Sequence, residues 1–129
     1  ANTIIDKSIK YSNLFFLDGN VDMYCILPYT HTLITDYSSI LYDYILMPDK
    51  NVILFHYDYD EYVNSREFIF DIKDNIVGRQ VYTFDELLEV VKNSDYCIDK
   101  SDRQRILNKF WGDTINKNSC QLVLDKLGL

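Results

Sequence analysis

Apolar positions along this chain fall into short continuous runs that alternate with stretches of helical spacing. Residues 13–19, NLFFLDG, form an apolar run closed by Asp-Gly, which predicts a buried strand and a turn. In residues 21–30, Val21, Tyr24, Cys25 and Pro28 predict a short helix that the proline ends. TLIT, residues 32–35, is β-branched and apolar and predicts a second strand. Beyond it Ser38 stands as an N-cap, with Ile40, Leu41, Tyr44, Ile45 and Met47 at helical spacing until Pro48 and Asp49. NVILFHY, residues 51–57, is nearly all apolar, as a strand covered on both faces should be.

The stretch DYDEYVNSREFIFDI that follows is rich in acids and aromatics and reads as a loop with an extended piece at Phe68–Phe70. VGRQVYT predicts a turn and a short strand. Thr83, with Glu86 three residues on, opens an amphipathic helix with a capping-box pattern, and two more helices are expected around 100–111 and 117–127. Strand and helix alternate, which indicates an α/β fold: a Rossmann-like, three-layer parallel sheet flanked by helices. The length of 129 residues fits one domain spanning 1–129. Sheets of this kind hold ligands beyond the C-terminal strand ends, where the next helix begins.

TDYSS, residues 35–39, occupies such a position. The first N–H groups of a helix lack intrahelical partners and sit at the positive end of its dipole, so with the Ser38 and Ser39 hydroxyls they form a cradle for phosphate. Asp36 would orient that turn, accept from a sugar hydroxyl or move a proton. The same residues also fit a plain helix start, with Ser38 as cap and Asp36 in an Asx-turn. Spacing does not choose between the two.

A net charge of −7 argues against general binding to nucleic acid, which needs clustered cations. Cys25, Cys97 and Cys120 are odd in number and far apart, so three small buried hydrophobes are expected rather than a disulfide or zinc framework. His31 and His56 flank strands and read as structural histidines. Asp43, Asp58, Asp60 and Glu61 suit either a Mg²⁺ site or a solvated acidic loop. Tyr37, Tyr42, Tyr44, Tyr57, Tyr59 and Tyr62 read chiefly as core, with a base-stacking role open to one of them. Lys100, Arg103, Arg105 and Lys109 interleave with Asp99 and Asp102, a solvated helix face rather than a lipid-binding one. No apolar run reaches the roughly 18 residues of a membrane span, and no signal peptide opens the chain. The missing initiator methionine suggests a piece of a longer protein.

The block LITDYSSILYDYILMPDKNVILFHYDYDEY resembles the signature of the CDP-glycerol glycerophosphotransferase family, the teichoic acid primases and polymerases. That family shows an ITDYSS turn, a helix with FDY, a strand like PIIFY and a D…EY loop leading to Arg-Gly-Phe. SREFIFD, VYTFDELLEVV and KFWGDTINKNSCQLVLDKL resemble its later segments, so the likeness runs over about residues 13–127. It implies the later part of the C-terminal, donor-binding domain of a GT-B enzyme. Such an enzyme moves glycerol phosphate from CDP-glycerol to a lipid-linked polymer acceptor, at the inner face of the cell membrane, without metal or other cofactor. By position Thr35, Asp36, Ser38 and Ser39 would form the diphosphate turn and Arg66 would supply its cation.

The chain departs from the pattern at Glu67, where the family has Gly, and at Leu122, where many relatives carry Arg. The family's catalytic histidines lie upstream, one in a His-Pro stretch, and neither His31 nor His56 matches them. Weak binding and no catalysis are therefore expected of these residues alone. Two other readings compete: a GT-B transferase with another donor, CDP-ribitol or a sugar nucleotide, and a receiver-like module with Asp18 and Asp36 at strand ends. The receiver reading lacks a lysine at the end of a later strand.

Overall fold

The computed structural model describes residues 11–65, 72–115 and 117–129. Three strands, β1 (Thr32–Thr35), β2 (Asn51–Phe55) and β3 (Arg79–Val81), form a parallel sheet in the order β1-β2-β3. Leu33 pairs with Val52 and Thr35 with Leu54, and Leu54 pairs with Gln80 on the other side. β2 is central, and its Val52, Ile53 and Leu54 are all buried. Successive side chains of a strand point to opposite faces, so an all-apolar run requires a cover on each face.

The covers differ. Val52 and Leu54 pack with Leu27, Leu41, Tyr44, Ile45, Val77 and Ile106, drawn largely from α1 (Ile40–Tyr44) and α5 (Lys100–Phe110). Ile53 packs on the opposite face with Val81, Leu87 and Val90, two of them on α4 (Phe84–Asn93). Each of these aliphatic side chains stabilises the fold by about 2 kcal/mol through burial. The result is helix, sheet and helix in three layers, the α/β architecture expected from the sequence. Gly78 admits β3 to this sheet: its φ is +132°, and a Cβ there would lie 2.8 Å from the Val52 carbonyl oxygen.

α4 begins as its sequence prescribes. Thr83 Oγ1 accepts from the Glu86 N–H at 3.2 Å, and the Glu86 carboxylate accepts from the backbones of Tyr82 at 2.7 Å and Thr83 at 3.2 Å. The Tyr82 and Thr83 donors hold the Glu86 carboxyl below its ordinary pKa.

Several expectations are corrected. Residues 13–19 form no strand; Leu14, Phe15, Phe16 and Leu17 are exposed. An apolar run becomes a strand only where a ladder partner exists, and among the described residues it has none. Asp18 therefore ends no strand, although its turn with Gly19 forms, with Val21 N–H bonding the Asp18 carbonyl at 3.0 Å. Residues 21–30 hold two 3₁₀ turns, Met23–Cys25 and Leu27–Tyr29, rather than one helix. α1 is only five residues long, and its continuation to Met47 tightens into shorter-range turns such as Met47 N–H to Tyr44 O at 3.2 Å.

The expected loop at 58–65 contains α2 (Tyr59–Ser65), favoured by Asp60 and Glu61 in its first turn. α3 (Ile72–Asn75) and α6 (Ser119–Leu127) complete the described elements. The extended piece foreseen at Phe68–Phe70 lies outside the described residues. All three cysteines are exposed rather than buried, because they stand in a 3₁₀ turn, an interhelical link and α6. Arg103 does not belong to a solvated face: its guanidinium reaches the carbonyls of Ile45, Met47 and Lys50.

Candidate functional site

The three strands end at Thr35, Phe55 and Val81, and the segments leaving them gather at one edge of the molecule. From β1 come Asp36, Tyr37, Ser38 and Ser39. Ser39, not Ser38, occupies the N-cap of α1, and its hydroxyl makes no cap bond. Ser38 Oγ accepts from Ile40 N–H only at 3.5 Å, at the limit of a hydrogen bond. Both serines and Asp36 are exposed and Thr35 is half-buried. Both serine hydroxyls thus lie at the surface, and capping engages Ser38 only weakly. Arg66 and Glu67 lie outside the described residues.

From β2 comes His56, whose backbone N–H continues the ladder to the Val81 carbonyl at 2.8 Å. Its side chain is 2 % exposed. Tyr37 stacks on it at 4.7 Å and 10°, and on Tyr62 at 3.8 Å and 14°. Tyr59 and Tyr82 complete the cluster, each within 6 Å of the His56 ring, and they meet edge to face at 5.6 Å. Aromatic rings from the ends of all three strands therefore enclose one imidazole.

The polar atoms of this cluster are left open. Tyr37 Oη, His56 Nδ1 and Asp58 Oδ1 are buried without a hydrogen-bond partner. Burial first, and then the charge and polar contact of the Asp58 carboxylate, push the Tyr37 phenol well above its ordinary pKa. The two side chains thus interact electrostatically, yet Tyr37 Oη and Asp58 Oδ1 do not reach hydrogen-bond geometry. Desolvation lowers the His56 pKa, opposed by the charges of Asp36 and Asp58. The imidazole is accordingly neutral near pH 7, with one ring nitrogen to donate and one to accept.

Beside the cluster an open cleft of ≈ 610 Å³ is walled by residues 56–61 and Tyr82. Asp58, Asp60 and Glu61 make it acidic. Among the described residues no group of three or more His, Cys, Asp or Glu side chains converges on a metal position. Asp43, weighed as a member of such a site, instead accepts from the Tyr24 hydroxyl at 2.7 Å.

The structure thus brings Thr35, Asp36, Ser38 and Ser39 together on one turn. The reading of His56 as a satisfied structural histidine is corrected: it is buried but unsatisfied, whereas His31 is exposed, with Nδ1 2.8 Å from Thr32 Oγ1. Sequence reasoning missed the joining of Tyr37, His56 and Asp58. The available signal was a histidine closing an otherwise apolar strand directly before YDYDEY.

A parallel sheet with a hydroxyl-bearing turn and an aromatic, acidic cleft at its C-terminal edge is an α/β architecture, the class of fold that generally holds ligands beyond strand ends. Residues 2–127 match the family described as CDP-glycerol:poly(glycerophosphate) glycerophosphotransferase, and the chain belongs to that family. It is 32% identical over 115 residues to the teichoic acid poly(ribitol-phosphate) polymerase of Bacillus spizizenii, covering 88% of this chain and 18% of the relative. It is 35% identical over 75 residues to the teichoic acid ribitol-phosphate polymerase TarK of Staphylococcus aureus, covering 58% of this chain and 14% of that protein. TarL of the same organism, likewise a teichoic acid ribitol-phosphate polymerase, is 35% identical over 71 residues, which is 55% of this chain and 12% of TarL. The chain spans less than a fifth of the length of these relatives. Among the described residues no helix is long and apolar enough to cross a membrane.

Proposed function

We propose that this chain is the donor-binding part of a GT-B transferase that moves a polyol phosphate from a CDP-activated donor to a teichoic-acid-like, lipid-linked polymer. The observation that carries the reading is the 35–39 turn: it leaves a parallel strand at its C-terminal end with two exposed serine hydroxyls that make no short cap bond, inside the segment matched to the family. Ser38 and Ser39 donate to the diphosphate, Thr35 and Asp36 hold the turn, and Arg66, by its place in the sequence, neutralises charge. The catalytic histidines belong to a part of the enzyme upstream of these residues, and the enzyme works at the inner face of the membrane. The family description favours CDP-glycerol as donor. The ribitol-phosphate polymerases among the relatives favour CDP-ribitol.

The test is release of CMP from each donor by the longest product the gene encodes, with a polymer acceptor present. Replacing both Ser38 and Ser39 by Ala is expected to lower kcat/KM about 10- to 100-fold, the worth of one or two hydrogen bonds to a charged group. Absence of CMP release from either donor, with the protein folded, would refute the assignment.

A further inference from the structure

We infer that the cleft walled by residues 56–61 and Tyr82 is a polyol subsite, which takes up the hydroxyls of a sugar-alcohol chain rather than phosphate or base. This rests on the donor-binding reading above and adds to it where the non-nucleotide end of the substrate lies. Three observations converge. The cleft carries Asp58, Asp60 and Glu61 and, among the described residues that line it, no cation, so these carboxylates disfavour phosphate in it. The same carboxylates are strong acceptors for hydroxyl donors. Tyr57, Tyr59 and Tyr82 supply flat apolar surface against which the C–H edges of a polyol pack.

The third observation is independent of the acids. His56 lines the cleft, is 2 % exposed, and has Nδ1 without a partner. Asp58 Oδ1 and Tyr37 Oη are buried and unpartnered beside it. A buried polar atom without a partner costs free energy, and such atoms are rare in native folds. Here a neutral imidazole nitrogen, a phenol and a carboxylate oxygen occur together. A hydroxyl both donates and accepts, so one ligand hydroxyl can donate to the Asp58 carboxylate while its neighbour bonds His56 Nδ1, both residues being part of the cleft wall. A metal ion could use only the acceptors, and a nucleobase would not engage three carboxylates.

The experiment is calorimetric titration of the longest gene product with CDP, CDP-glycerol, CDP-ribitol and a free poly(ribitol phosphate) oligomer. The proteins compared are wild type, His56→Phe and Asp60→Asn, the last an exposed position whose change leaves folding intact. CDP is expected to bind all three equally, while the CDP-polyols bind wild type about tenfold tighter than either variant, the increment of one to two hydrogen bonds. The same loss for the oligomer alone would place the acceptor's polyol in the cleft and also supports the inference. If CDP and the CDP-polyols bind and neither variant separates them, the polyol subsite is refuted while the donor reading stands. If CDP and the CDP-polyols all fail to bind wild type, the donor reading falls, and the oligomer arm then decides the cleft: binding that the variants weaken supports a polyol site, and none overturns it.

Discussion

The two ends of the sheet solve the same problem in opposite ways. At the end where the strands begin, polar groups are provided for. Arg103 donates to three carbonyls in the turn between α1 and β2, Ile45 at 3.1 Å, Met47 at 2.7 Å and Lys50. Lys50 Nζ donates to the carbonyls of Pro28, at 2.7 Å, and of Thr30. The Asn51 side chain accepts from Ile98 N–H at 3.4 Å, and Asn51 N–H bonds the His31 carbonyl at 3.1 Å. At the end where the strands finish, Tyr37 Oη, His56 Nδ1 and Asp58 Oδ1 have no hydrogen-bond partner, and the exposed serine hydroxyls of the turn make no short cap bond. The first end is closely bonded because it holds the helices to the sheet. The other leaves three buried polar atoms unpaired, and the proposed ligand site rests on them.

The strongest way to break this contrast is at the closely bonded end. Arg103→Ala removes three hydrogen bonds from a charged donor and leaves the Ile45, Met47 and Lys50 carbonyls to find water in a half-buried turn. The expected loss is about 3 kcal/mol of folding stability. Urea titration checks it, with ligand affinity of the remaining folded protein unchanged. A loss below about 0.5 kcal/mol would show that the clamp is decorative.

Gly78→Ala tests the same end through the backbone. The residue keeps φ at +132°, and the new Cβ would meet Val52 O at 2.8 Å and Val52 Cβ at 3.0 Å. Both neighbours belong to the buried central strand, which cannot recede. The expected cost is about 2–4 kcal/mol from backbone strain plus overpacking. Thermal unfolding reads it, and a melting point equal to wild type would mean that β3 docks more loosely than its register suggests.

At the open end the expectation reverses: large effects on ligand, small ones on stability. Ser38→Ala with Ser39→Ala should change stability by no more than about 0.5 kcal/mol, since neither hydroxyl makes a short cap bond. Donor affinity should drop by about tenfold or more. A stability loss near 1 kcal/mol, the ordinary worth of an N-cap, with donor affinity intact, would return the pair to the role of a simple helix start.

The sequence made the sheet legible and left its rim obscure, for a physical reason. The strand expected over 51–57 forms at 51–55, where VILF is apolar because a central strand is covered on both faces, and TLIT, an edge strand with Ile34 exposed, is legible from its β-branched residues instead. The Thr83–Glu86 cap was legible because its bonds span three residues. The run at 14–17 misled because apolar character states only that burial is wanted, not that a ladder partner is present. YDEYVNS lacks an apolar stripe and so reads as a loop, whereas acids in the first turn of α2 and the stacking of Tyr62 on Tyr37 accompany the helix that forms. The Ser38–Ser39 turn could be found from pattern and resemblance. The meeting of Tyr37, His56 and Asp58 spans two strands' ends, and such contacts follow only from the register.

The subtlest test concerns His56, where stability and function should part company. Desolvation lowers its pKa in the folded protein, while Asp36 and Asp58 pull the other way; the rings that face it are Tyr37, Tyr59 and Tyr82. The unfolded chain therefore takes up the proton first as pH falls. Stability is fully present above the ordinary histidine value of 6.5 and declines as pH drops below it toward the lowered folded value. His56→Phe keeps a flat ring between Tyr37 and Tyr82 and removes an unpartnered nitrogen, so stability at pH 7.5 should stay within about 1 kcal/mol of wild type. The variant should also lose the part of the acid-side decline that His56 contributes, which parallel urea titrations at pH 7.5 and pH 5.5 would show. If His56→Phe instead unfolds the protein as Arg103→Ala is expected to, the imidazole is a structural member of the core, and the contrast between the two ends fails at its most buried residue.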